Sequence, residues 1–151
     1  MKTKLIKIIS GGQTGVDRAA LDFALKYQIP CGGWCPKGRI AEDGIIPDQY
    51  PLTETLTEDP KERTRLNISN SDGTLIIYRD RMDEGTQYTL DHAREFEKAV
   101  YIIQSGSDKN PEYFKNWLQA NKINTLNVAG PRESSEAGVY NFAYDALENL
   151  F

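Results

Sequence analysis

Residues 10–18 read SGGQTGVDR and follow the apolar run LIKII. Gly11, Gly12 and Gly15 let backbone N–H groups come close to a bound atom, and a helix beginning just beyond them adds its positive end. Thr14 supplies a hydroxyl, Gln13 an amide, and Asp17 and Arg18 stand in the first helical turn. The pattern predicts an anion seat, with a turn that binds nothing as the plainer alternative. It is not a P-loop, because the G-x-x-x-x-G-K-[ST] spacing and its lysine are missing, and it is not the dinucleotide fingerprint G-x-G-x-x-G.

Further cations and hydroxyls recur at comparable places. CPKGR carries Lys37 and Arg39, YRDRMDEGT carries Arg79 and Arg81 ahead of Gly85 and Thr86, and AGPRESS carries Gly130, Arg132, Ser134 and Ser135. One arginine is ordinary surface, whereas several gathered around a glycine-rich turn in an acidic chain predict a small polyanionic ligand. Asp17 is the acidic residue expected to face that ligand, bonding a sugar hydroxyl or a pterin ring nitrogen, while Asp22 favours the helix dipole. Trp34 and Tyr50 are candidates for stacking on a planar ring, with a core role equally open for Trp34. Asp48, Glu54, Glu58 and Asp59 read as solvated surface.

Elements that position these residues follow from the periodicity. Strands are predicted at 4–9, 29–36, 73–78, 100–104 and 123–130, and helices at 17–28, 60–70, 85–99, 111–121 and 134–150. Ser134 or Ser135 is the expected cap of the last helix, and Tyr88, Leu90, Ala93 and Phe96 are the inward positions of the 85–99 helix. Residues 37–51, KGRIAEDGIIPDQYP, read as a polar loop. Continuously apolar strands alternating with helices predict an α/β protein with a doubly wound, mostly parallel Rossmann-like sheet covered on both faces. In such sheets ligands sit beyond the carboxyl ends of the strands, so loops 10–18, 36–46, 79–86, 104–110 and 130–135 are the ones to inspect.

Bulk properties narrow the function classes. A length of 151 residues predicts one domain, 1–151, and 39% hydrophobic with 26% charged residues describes a soluble globular chain. The net charge of −4 argues against nucleic acid as the main partner. No apolar stretch approaches a membrane span and the N-terminus lacks a signal-peptide core, so no membrane partner and a cytoplasmic location are expected. Two cysteines, Cys31 and Cys35, and a single histidine, His92, make no four-ligand zinc site from Cys and His alone. The cysteines read as small hydrophobes near a turn, with a redox or metal-ligand role as the minor alternative.

SGGQTGVDRAALDFAL, GGWCPKGRIAEDG, EGTQYTLDHA and AGPRESSEAGVY together resemble the molybdenum-cofactor carrier family. That family belongs to the Rossmann-like superfamily that includes the lysine-decarboxylase-like phosphoribohydrolases. The resemblance implies a Rossmann-like sheet, a phosphate-bearing ligand and a homo-oligomer. It also implies a permutation, since the strand and arginine segment that opens those enzymes is similar to LNVAGPRESSEAGVY, which here comes last. Their P-G-G-x-G-T-x-x-E motif is matched at Gly85 and Thr86, but Thr89 stands where the glutamate belongs. Threonine cannot serve as a carboxylate acid or base near neutral pH. An upstream arginine of those enzymes is matched by Arg63 or Arg65, and Asp83 and Glu84 are the nearest carboxylates. The expectation is a binding or carrier protein for a phosphorylated heterocycle, molybdenum cofactor or another nucleotide-like ligand, with no catalytic residues and no resident metal. A phosphoribohydrolase-like enzyme or a sensor of a nucleotide-derived ligand is the alternative.

Overall fold

Strands and helices alternate through most of the chain in the computed structural model, which describes residues 7–151. In order they are β1 (Lys7–Ile9), α1 (Val16–Lys26), β2 (Cys31–Gly32), β3 (Trp34–Cys35), β4 (Ile40–Ala41), β5 (Gly44–Ile45), β6 (Thr53–Glu54), α2 (Pro60–Ser69), β7 (Gly73–Ile77), α3 (Glu84–Glu95), β8 (Ala99–Ile103), α4 (Pro111–Ala120), β9 (Thr125–Ala129) and α5 (Val139–Leu150). The first part of the predicted strand 4–9, residues 4–6, lies outside the described residues.

Five strands form the central sheet in the order β2-β1-β9-β7-β8, every pair parallel. Counted from β9 instead of β1, that order becomes 3-2-1-4-5, the arrangement of a doubly wound mononucleotide-binding half. The chain therefore enters the fold one strand late. Alternation along the strands gives the two faces different characters. Ile8, Leu75, Ile77, Ile103, Leu126 and Val128 join the apolar sides of α1, α4 and α5 in the main core. On the other face, under α2 and α3, the buried strand residues include Thr74 and Asn127, which stand opposite each other in register and share a hydrogen bond of 3.3 Å.

Helix starts are mostly capped by side chains. Asp59 accepts from the Lys61 N–H before α2, Asp83 from the Thr86 N–H before α3, and Asn110 from the Glu112 N–H before α4. Asp59, expected only as solvated surface, is exposed and does this work.

Several boundaries differ from the sequence expectation for identifiable reasons. The predicted strand 29–36 breaks at Gly33, whose φ of +126° turns the chain out of the sheet, so that β3 pairs with β6 in a separate ribbon. The predicted loop 37–51 contains the antiparallel hairpin β4–β5. The last helix begins at Val139, not at 134, because Gly138 at φ +88° forms its cap. Neither Ser134 nor Ser135 caps it; the Glu133 carboxylate takes the Gly138 and Tyr140 N–H groups at 2.6 and 3.0 Å. The 85–99 helix stops at Glu95, and Phe96, expected to point inward, is 56% exposed.

Candidate functional site

On the α2/α3 side, β9 and the loop after β1 open at their carboxyl ends into a cavity of about 430 Å³. This is the switch point of the sheet, because the chain winds outward in opposite directions on either side of it. Asn127 to Gly130 of β9 and its loop form one wall, joined by Arg132 and Ser135. Gly11, Gln13 and Asp17 come from the turn before α1 and its first residues, Lys61, Arg63, Thr64 and Asn67 from α2, and Asp83 to Thr86 with Tyr88 and Thr89 from α3.

The glycine-rich turn before α1 faces two ways. Gly11 lies beneath Arg63, whose Nη1 donates to the Gly11 carbonyl at 2.9 Å, and Gln13 and Asp17 line the cavity. Gly12 turns away at φ +81°, where a Cβ would stand 2.5 Å from Leu52 Cδ1 and 3.0 Å from Ile46 Cδ1. Gly15, at φ +77°, leaves room for the Pro131 carbonyl, which accepts the Val16 N–H at 3.2 Å. Thr14 donates its hydroxyl to Glu42 and accepts from the Glu133 N–H. Arg18 donates to the Gly12 carbonyl and pairs with Asp43 at 3.0 Å. Four of the residues expected around a phosphate, Gly12, Thr14, Gly15 and Arg18, are thus engaged in tying loops together and do not line the cavity.

The other expected cations divide the same way. Arg39 donates to the carbonyls of Ile46, Pro47, Tyr50 and Leu52 and so holds the segment that follows it. Arg79 donates to the Ala137 carbonyl and pairs with Asp80, and Lys37 is exposed outside the cavity. Arg132 does line the cavity, with Nε 3.3 Å from Ser135 Oγ and 3.6 Å from Glu42. Ser134 is outside it, donating to Glu42 through both N–H and hydroxyl. Burial alone would raise the Glu42 pKa, but the bonds from Ser134 and Thr14 and the charge of Arg132 hold it below the usual value. The anion bound by Thr14 and Ser134 is therefore one of the chain's own carboxylates.

Gly85, Thr86, Gly130 and Ser135 line the cavity as well. A Cβ on Gly130 would run into the Ile77 carbonyl, whereas one on Gly85 would meet only Asp83 Oδ1, at 4.0 Å. Asp83 caps α3, and although burial favours its neutral form, bonds from Thr86, Ser135 and the Arg132 N–H hold its pKa below normal. The N–H groups of Glu84 and Gly85, in the first turn, have no intrahelical partner. Asp17 behaves oppositely. Burial pushes its pKa up to about 6, opposed by Arg63, whose Nη1 is 3.7 Å away.

Neither candidate stacking ring lines the cavity. Tyr50 is buried, donates to Asp22 at 2.6 Å, and is pushed up to about 12 by burial and by that bond. Asp22 also accepts from Tyr140, so it is a core tie. Trp34 is clamped through its backbone, both ways, by Asn67. Cys31 and Cys35 are free thiols raised by burial, and no cluster of three or more His, Cys, Asp or Glu is placed to hold a metal among the described residues. Among those residues no helix is long and apolar enough to cross a membrane.

Lys61, Thr64, Asn67, Tyr88 and Asn127 also line the cavity and are not among the residues the sequence points to. Two signals existed. PKERTRLNIS is polar nearly all round although the fold requires it to cover a sheet, which marks a helix beside a cavity. Asn127 is a buried polar residue between the buried Leu126 and Val128 of β9.

Comparison with curated proteins gives no match. Among solved structures, the chain is similar to a crystal structure described as "Putative molybdenum carrier protein" from Syntrophus aciditrophicus SB, with 42% identity, a TM-score of 0.96, and coverage of 100% of this chain and 98% of that one. The circularly permutated YpsA SLOG family matches residues 8–151. The permutation in the family's name agrees with the strand order, in which the last strand occupies the first position of the doubly wound half. The match spans nearly the whole chain and the neighbour is far above the identity at which fold alone is shared, so the chain belongs to the circularly permutated YpsA SLOG family.

Proposed function

We propose that the chain, as a single ligand-binding unit, holds a phosphorylated heterocycle in the switch-point cavity and releases it unchanged. Molybdenum cofactor is the cargo that the neighbour's name suggests. The observation that carries this is the composition of one cavity. The first turn of α3, whose N–H groups lack intrahelical partners, lines it together with Lys61, Arg63 and Arg132, the carboxylates of Asp17, Asp83 and Glu84, and neutral polar side chains from Asn67, Thr89 and Asn127. A volume of about 430 Å³ lies in the range of small-molecule and cofactor sites. The phosphate would sit against Gly85, Thr86 and Arg132, and the ring toward Asp17 and Arg63. Homo-oligomerisation and a cytoplasmic location belong to the same proposal, the first being readable by light scattering.

Hydrolysis of a ribotide is the second reading, and the Arg63–Asp17 pair inside the cavity favours it. Against it stands Thr89, whose hydroxyl donates to the Gly85 carbonyl and supplies no acid or base. Denaturing the purified protein and weighing the released small molecules by mass spectrometry tests the carrier reading. A phosphorylated heterocycle at near-stoichiometric amount is expected, strongly depleted in Lys61→Ala/Arg132→Ala. Free base released from adenosine or guanosine monophosphate above a buffer control, and lost in Asp17→Asn, would replace carriage by catalysis.

A further inference from the structure

Asp17 is only 7% exposed, yet its carboxylate is poorly served. Oδ2 accepts the Gln13 N–H at a long 3.3 Å and lies 3.7 Å from Arg63 Nη1, while Oδ1 has no hydrogen bond within the described residues. A carboxylate offers about four acceptor positions, so most of this one's capacity is unused. Arg63 shows the complementary shortfall. Its Nη1 donates to the Gly11 carbonyl and its Nε to Thr64 Oγ1, and Nη2 has no partner there. No fully buried side-chain N or O lacks a partner among the described residues, so both free atoms keep some accessible surface, and both residues line the cavity.

We propose that Asp17 and Arg63 form a reader for a 2-amino-4-oxo pyrimidine edge, the face shared by guanine and pterin rings. Such an edge presents, in sequence, an amino N–H, a ring N–H and a carbonyl oxygen. The two donors meet the open side of the Asp17 carboxylate, and the carbonyl meets Arg63. Adenine places a bare ring nitrogen where the ring N–H would be, setting a lone pair against the carboxylate. A site built to accept hydrogen bonds rejects a ring lacking those donors far more strongly than an apolar pocket would. The inference rests on the cavity being the ligand site, and it narrows the heterocycle from any nucleotide-like ring to the 2-amino-4-oxo class.

Protonation tunes the reader. Asp17 is raised to about 6, first by burial and also by Asp83, against Arg63, the Gln13 N–H and Arg18. Lys61 from α2 and Glu84 and Tyr88 from α3 also face the cavity. Above about pH 6 the carboxylate accepts both N–H groups; below it a proton occupies an acceptor position and the preference fades.

Isothermal titration of the purified protein with guanosine, inosine and adenosine 5′-monophosphates tests this. All three carry the same ribose and phosphate, so the phosphate's own ionisation near pH 6 cancels in their affinity ratios. At pH 7.5 the guanine nucleotide is expected to bind at least about tenfold more tightly than the adenine one, with hypoxanthine between, and the ratio to shrink at pH 5. In Asp17→Asn the ratio falls to about one while both nucleotides still bind through the phosphate. If that variant does not fold, the wild-type ratio and its pH dependence still decide. Equal binding of the guanine and adenine nucleotides overturns the reader and leaves the carrier proposal standing, as does an equal loss of both in Asp17→Asn, which would put Asp17 on the ribose. If neither the nucleotides nor inorganic phosphate binds, the carrier reading falls and the reader with it.

Discussion

The turn before α1 and the turn before α3 both bring glycine to a helix start at the same end of the sheet, and they use it differently. Before α1, Gly12 and Gly15 at positive φ make room for Leu52, Ile46 and the Pro131 carbonyl, and no side chain caps the helix. At the start of α3, Asp83 caps the helix, and Gly85, in the first turn, has open space around it and lines the cavity. Glycine density therefore reports close packing of backbone on backbone as readily as access for a ligand. The segment richest in glycine uses Gly12 and Gly15 for packing, and the poorer one opens its glycine to the cavity in which the anion is proposed to sit.

The largest effect should separate these glycines directly. Gly15→Ala puts a Cβ into fixed backbone at a φ of +77°, and a loss on the order of 3–5 kcal/mol is expected in urea unfolding. Gly85→Ala should stay within about 0.5 kcal/mol of the parent, paying only helix propensity in its favour, while its methyl group weakens nucleotide binding. Equal destabilisation by the two would erase the contrast.

Next comes pH. Burial raises the folded-state pKa of Asp17 from the ordinary 3.8 to about 6, so its contribution to stability is fully present below the unfolded value and is lost as pH rises through about 6. A shift of that size corresponds to about 2–3 kcal/mol. Melting temperatures of Asp17→Asn should be less dependent on pH between 4 and 7 than those of the parent. An unchanged pH profile would mean that Asp17 is solvated.

The arginines offer a smaller contrast. Arg39→Ala removes the donor to four loop carbonyls and should cost about 2 kcal/mol of stability with nucleotide affinity nearly unchanged. Arg132→Ala should do the reverse, leaving stability within about 1 kcal/mol and weakening nucleotide binding about tenfold at low salt, less at high salt. Calorimetric titration and urea unfolding on the same preparations read both arms.

Much of the architecture was legible because it rests on local pattern. The apolar strands GTLII and AVYII and the prolines at the starts of α2 and α4 state their structure within a few residues, whereas the α2 cap, Asp59, reads in the sequence as solvated surface. The departures arise where long-range contact decides. Gly33 breaks a strand because Ser10 crosses close to it, with its N–H only 2.9 Å from where a Cβ would stand. The site was legible in part for the same reason. Gly85, Thr86, Gly130, Arg132 and Asp17 reach the cavity through where their loops end, and loop ends follow from strand order. Arg39 and Arg79 sit at the same sheet end, yet nearby carbonyls claim their guanidinium groups, and no spacing in the sequence announces that competition. Asn67, one turn along α2 from Arg63, was hidden by being polar on a helix whose apolar side is too weak to orient it.

A crystal of the protein grown with guanosine 5′-monophosphate tests the central claim most directly. Density is expected for the phosphate between Gly85, Thr86 and Arg132, with the base against Asp17 and Arg63, an intact glycosidic bond, and Glu42 still bound to Thr14 and Ser134. Phosphate lying on Gly12 and Thr14 with Glu42 displaced would contradict it, because the turn before α1 would then be the anion site after all.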